Sequence, residues 1–138
     1  MFFKNETLLD VDFFGPDAVF SHVGIAVQKI PDEYRNLHFF CDIMQKVNVA
    51  FVNLNGITVE FIEPLNETSP VKNLLRKGMN VYHLCYKVKN LENSINHAKD
   101  KGFFVIAEPT PAVAFRNNLI SWLYHNNYGI YELVENGD

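Results

Sequence analysis

Cysteine is scarce in this chain. Cys41 and Cys85 are its two cysteines among 138 residues, far apart and without the C-x-x-C spacing of a metal or redox motif. Both are expected to be buried thiols. Positive charge is also in short supply: 12 lysines and arginines stand against 16 acidic residues, giving a net charge of −4. The charges are scattered rather than blocked, so there is no basic footprint for nucleic acid or an anionic membrane. No apolar run reaches membrane-spanning length, and Glu6 and Asp10 interrupt the apolar N-terminal stretch, so a cytoplasmic location is expected. Nor is there a glycine-rich phosphate loop, a nucleophile elbow or a Cys-His pairing in strand context, which argues against nucleotide binding and acyl-enzyme chemistry.

What the chain does have is apolar residues, 48% of the total, enough for one domain or two small fused modules. Residues 1–18 mix Phe2, Phe3, Phe13 and Phe14 with acidic residues and read as an arm; residues 19–138 read as one domain. Val19 to Val27 alternates like a strand, with His22, Gly24 and Ala26 on one face. Small neighbours on that face leave room for a ligand. Pro31, Tyr34, Leu37 and Phe40 suggest a short helix from about Asp32 to Phe40. Val47–Leu54 and Ile57–Ile62 flank Asn55–Gly56, a strong hairpin signal. A turn-rich connector and a short helix from Val71 to Arg76, stopped by Gly78, follow.

From Val81 the pattern begins again. A strand over 81–88 leads to an Asn90 N-cap, a helix with Leu91, Ile95 and Ala98 on one face, and a stop at Gly102. Strands over 103–107, 119–124 and 129–134 complete this half. Two modules result, about 19–64 and 81–135, each with a histidine on its first strand and a glutamate on its last. His22 to Glu60 spans 38 residues (60 − 22) and His83 to Glu132 spans 49 (132 − 83), so the first module lacks 11 residues and has lost a strand or much of its helix.

Two neutral imidazoles and two carboxylates suit a divalent first-row metal that would act as a Lewis acid on a substrate oxygen. Any one of the four could be a satisfied or solvent-facing side chain. Their equivalent places in two halves make His22, Glu60, His83 and Glu132 the candidate ligands. His38 and His97 read as exposed helix residues, and His125 as part of a polar turn.

His22–Val27, Glu63–Pro64 through Ser69–Pro70–Val71, Tyr82–Tyr86 and Gly129–Leu133 resemble the vicinal oxygen chelate superfamily, in its glyoxalase I and methylmalonyl-CoA epimerase branch. The resemblance covers about Val19 to Glu135. It implies an α+β fold of two βαβββ modules, the first shortened, curled around one divalent ion (zinc, nickel, cobalt or manganese) held by His22, Glu60, His83 and Glu132. It implies a proton moved on a carbon next to a carbonyl, with Glu132 as base, in a lyase or isomerase of the glyoxalase I type acting on a hemithioacetal or acyl thioester. An acyl-CoA epimerase and a non-catalytic binding member are the alternatives. The loop Pro111–Arg116 and the run through Ser69 correspond to substrate-contacting parts of the family, making Arg116 and Ser69 candidate substrate-binding residues. The second acid that the epimerases place between first helix and next strand has only Asp42 as a counterpart. An apolar sheet edge left by the short first module points to a homodimer.

Overall fold

A computed structural model describes residues 7–136. Eight strands form one sheet in the order β2-β3-β4-β1-β5-β8-β7-β6. In chain order these are β1 (Val19–Ala26), β2 (Phe39–Asp42), β3 (Val47–Leu54), β4 (Ile57–Pro64), β5 (Val81–Val88), β6 (Phe104–Ala112), β7 (Asn118–His125) and β8 (Gly129–Glu135). Two helices, α1 (Pro70–Arg76) and α2 (Leu91–Asp100), complete the fold. The sheet is two like halves: β1 pairs parallel with β4, β5 pairs parallel with β8, and antiparallel β1 and β5 form the seam between them. Contacts between β2 and the turn after β6 show that the sheet curls until one edge nears the other half. Among the described residues no helix is long and apolar enough to cross a membrane.

Local chemistry explains most elements. The Asn55–Gly56 turn takes positive φ at both residues (49° and 97°), the geometry a two-residue hairpin demands, and β3 and β4 pair in register up to Leu54 opposite Ile57. Helix α2 starts where the Asn90 carboxamide accepts a hydrogen bond from the Asn93 N–H, and it buries Leu91, Ile95 and Ala98. Its end is a left-handed Gly102 (φ 94°), with Phe103 buried beyond it.

Three expectations are corrected. The first is the helix over 32–40. Asp32–Tyr34 form one 3₁₀ turn, Leu37 is exposed, and Phe39 already belongs to β2. The first half has therefore kept all four strands and lost its helix. The buried Glu63 carboxylate organises the short crossover that replaces it, accepting hydrogen bonds from the Ile30 N–H (2.7 Å), Arg35 (3.1 Å) and Asn48 (2.8 Å). Second, β6 runs through Pro109 and Pro111 to Ala112 rather than ending near Ala107. As the edge strand it needs no N–H from the prolines on its outer side, and its register shifts between Ala107 and Thr110. Third, Cys41 is exposed, because alternation on edge strand β2 turns Asp42 inward; Cys85 is buried. His38 likewise lies in a bend, not a helix.

The end of the arm packs on its own chain, while Leu8, Leu9 and Val11 before it are exposed. Phe14 is buried with Leu91, Phe103 and Leu133, and Phe13 packs against the same cluster. Asp12 accepts the Phe14 and Gly15 N–H groups to fix the turn into β1, and lies 3.5 Å from half-buried His97. Phe2 and Phe3 lie outside the described residues.

Burial raises the Glu63 pKa, but the hydrogen bonds from Arg35, Ile30 and Asn48 outweigh it and hold the carboxyl below its ordinary 4.5. A depressed carboxylate stabilises the fold above pH 4.5 and loses that contribution as pH falls through its folded value. Glu63→Gln is expected to cost about 2–3 kcal/mol in urea unfolding at pH 7, a gap that narrows below pH 4.5.

Candidate metal centre

His22, Glu60, His83 and Glu132 come together at the seam. One ligand atom from each lies within 4.8 Å of the others, and all four residues are buried. Register explains the convergence. Glu60 pairs with Gly24, two residues beyond His22, and Glu132 pairs with Cys85, two residues beyond His83. Each half thus sets its glutamate at the same offset from its histidine. The antiparallel seam then brings Gly24 opposite His83 and Cys85 opposite His22.

Gly24 is what admits the His83 ring. A Cβ there would overlap the imidazole, coming within 2.6 Å of Nε2 and nearer still to other ring atoms. The small residue read as room for a ligand is in fact room for the His83 side chain. Ser21 Oγ lies 3.0 Å from His22 Nδ1, so when Nδ1 carries the proton it donates to Ser21 and Nε2 faces the site. Aromatic rings wall the pair. Phe115 stacks on His22 at 5.9 Å and 14°, and Trp122 meets His83 edge-on at 4.7 Å.

The donor set fits a divalent ion. His22 Nε2 lies 3.1 Å from Glu60 Oε1 and 3.4 Å from Glu132 Oε1, and His83 Nε2 lies 3.4 Å from Glu132 Oε1 and 3.6 Å from Glu60 Oε1. Ligands about 2.1 Å from a common ion stand roughly 3.0–3.5 Å apart at octahedral or tetrahedral angles, close to these separations. Both His83 ring nitrogens and Glu132 Oε1 are buried without a hydrogen-bond partner. Leaving such atoms unpaired costs on the order of 1–3 kcal/mol each, a cost that a cation would relieve at His83 Nε2 and Glu132 Oε1.

Without an ion the same atoms share protons. Burial lowers the His22 pKa, but the adjacent carboxylates, Glu132 at 3.4 Å and Glu60 at 3.1 Å, outweigh it and raise the imidazole from 6.5 to about 9. Burial would raise Glu132, yet the two histidines hold it well below the usual carboxylate range. The raised His22 therefore stabilises the metal-free fold fully below pH 6.5 and loses that contribution as pH rises through about 9. Metal must displace this proton. Titration with zinc at pH 7 in buffers of different ionisation enthalpy is expected to show about one proton released per ion, with apparent affinity rising about tenfold per pH unit up to pH 9.

A cavity of about 310 Å³ opens beside the donors. Glu60, Glu132, Tyr82, Trp122, Phe115 and Asp42 line it, and the remaining wall is largely aliphatic. Burial, with Glu60 and Glu132 nearby, pushes the Tyr82 phenol well above its usual pKa, so it stays a neutral hydroxyl. Asp42, from the far edge of the sheet, is buried and accepts the Gln45 N–H at 3.0 Å through one oxygen. The other two sequence candidates fall elsewhere. Ser69 is buried as the N-cap of α1, its hydroxyl accepting the Val71 N–H at 3.3 Å. Arg116 lines a second cavity, of about 470 Å³, with Lys87; Ala114 and Phe115 line both cavities.

Residues 21–120 match the model of the "Glyoxalase/Bleomycin resistance protein/Dioxygenase superfamily". The chain belongs to this superfamily. Among its relatives, a mitochondrial methylmalonyl-CoA epimerase of Dictyostelium discoideum is 26% identical over 116 residues, covering 75% of this chain and 69% of that protein. A hypothetical protein, BH1468 from Bacillus halodurans, superposes with a TM-score of 0.74 at 28% identity over 88% of this chain and 96% of that one. Mycobacterium tuberculosis methylmalonyl-CoA epimerase has the same fold, with a TM-score of 0.71 at 21% identity over 95% and 94% of the two chains. The superfamily's curled α+β half-barrel is the architecture found here. Phe115 lies in the loop Pro111–Arg116 that the resemblance places near the substrate, and Tyr82 beside His83, whereas no motif points to Trp122. Trp122, the one tryptophan on a strand of the second module, was the available signal.

Proposed function

We propose that this superfamily member is an acyl-CoA epimerase-type isomerase, which inverts a carbon next to a thioester carbonyl. The observation that carries the reading is that Asp42 and Glu132 line the same cavity although β2 and β8 are five places apart in the sheet. Inversion through a flattened carbon needs one group to take a proton from one face and another to return it to the opposite face. Glu132 would hold the proton on one side and Asp42 on the other.

A divalent ion held by His22, Glu60, His83 and Glu132 would supply Lewis-acid polarisation of the substrate carbonyl. The chain's residues do the rest. The apolar walls exclude water and so strengthen every charge interaction within the cavity. The Tyr82 hydroxyl is a neutral donor, and Ser21 fixes the His22 ring. The epimerase names of the relatives and the position of Asp42 favour this reading over the glyoxalase I type, which needs Glu132 alone.

The test incubates metal-loaded protein with single enantiomers of 2-substituted acyl-CoA thioesters in D₂O, following deuterium at the α-carbon and optical purity together. Asp42→Asn is expected to slow inversion by about 100-fold while sparing exchange at the face served by Glu132. Inversion by Asp42→Asn at the parent rate would rule out the two-base reading, and no exchange with any loaded metal would leave a binding protein.

A further inference from the structure

We propose that the Tyr82 hydroxyl is a catalytic group, donating a hydrogen bond to the thioester oxygen as a proton leaves the neighbouring carbon. This rests on the acyl-thioester reading above and adds a residue to it. The seam is where Tyr82 is set apart. Gly24 pairs with His83 and Ile25 with Val81, so Tyr82 is an extra residue on β5 with no partner on β1. Ser21 is the matching extra residue on β1, since Phe20 pairs with Tyr86 and His22 with Cys85. A bulge therefore stands immediately before each of the two histidines.

The two bulges aim their side chains at different tasks. Ser21 turns back to its own histidine, 3.0 Å from His22 Nδ1. Tyr82 makes no such bond: both His83 ring nitrogens lack a partner, and among the described residues the Tyr82 hydroxyl has none either. Alternation along an unbroken strand would send Tyr82 and His83 to opposite faces. The bulge cancels that, leaving the two rings 4.6 Å apart and Tyr82 in the cavity wall with Glu60 and Glu132. Trp122 stacks on the phenol ring at 6.4 Å and 15° and fixes its orientation. The result is a half-buried O–H without an acceptor, in a wall that is otherwise largely aliphatic.

The reaction creates the acceptor. When the C–H bond breaks, the proton passes to Glu132 in one direction or to Asp42 in the other, and the bonding electron pair shifts toward the carbonyl. Negative charge then collects on the thioester oxygen. A fixed neutral donor bonds that oxygen more strongly as the charge grows, so it lowers the barrier more than it tightens binding.

Tyr82→Phe keeps the ring and its stack and removes the hydroxyl alone. In the zinc-loaded variant, kcat for α-proton exchange is expected to fall about 100-fold, with KM changed less than about threefold and with zinc content and urea midpoint unmoved. Acetoacetyl-CoA gives a readout without turnover. Its enolate absorbs in the near ultraviolet, and the fluorescence of Trp122, the sole tryptophan, reports when the cavity is filled. At saturation the enolate band of the variant is expected to be about threefold weaker than the parent's or less. An unchanged kcat and band, or a loss that comes with lost zinc or stability, would overturn the proposal and leave the acyl-thioester reading standing. A parent protein that neither exchanges the α-proton nor binds acetoacetyl-CoA would overturn the two together.

Discussion

Glu132→Gln is expected to reduce α-proton exchange by about 10³-fold at saturating metal, as measured by deuterium incorporation. The substitution keeps the shape of the side chain and removes its basicity. The amide also turns an N–H donor or an uncharged oxygen toward the histidines that now face a carboxylate at 3.4 Å, so metal affinity should fall as well. Glu60→Gln separates these effects. It removes the same charge from the same set of donors but leaves the proposed base, so its affinity loss should be comparable while exchange at full metal occupancy falls only about tenfold. Equal exchange losses in the two variants would show that Glu132 acts as a ligand alone.

Gly24→Ala is expected to weaken zinc binding by about 100-fold and to destabilise the metal-free fold by about 1–3 kcal/mol. The new methyl group would overlap the His83 ring, whose strand is pinned opposite Gly24 by the seam register. Either the ring leaves the donor set or β1 and β5 separate. A double variant distinguishes overlap from any intrinsic dislike of alanine at this position. When His83→Ala is added, the methyl group has space, so the stability lost to Gly24→Ala should be largely recovered while zinc binding stays abolished. Additive stability losses in the four proteins would reject the overlap.

The sequence shows the double module, the hairpin at Asn55–Gly56 and the Asn90 cap because each is written in local residues: a repeated strand pattern, a turn dipeptide, a capping side chain. The four convergent side chains were nameable for a related reason, since one repeat carries each histidine and glutamate to an equivalent position. Tyr34, Leu37 and Phe40 recur at helical spacing and so suggest a helix in the first half, whereas the crossover that stands there is held by hydrogen bonds to Glu63, a residue distant in sequence. Trp122 joins the site only through the curl of the sheet, which no local pattern encodes, and the same curl carries Asp42 and Phe115, both already indicated by the resemblance, to one cavity. Ser69 shows the reverse: its hydroxyl is committed to starting α1, a role its neighbour Pro70 advertises.

The seam has a consequence for unfolding. Each half contributes one imidazole and one carboxylate, so neither half alone presents more than two of the four donors. Occupancy therefore requires β1 and β5 to be zipped together, and an ion bound only to that zipped state raises its stability by mass action. Opening the seam would have to break the ion's bonds to one half before solvent could enter. Loaded protein should unfold as one unit and slowly, whereas stripped protein is free to let its halves come apart in separate steps.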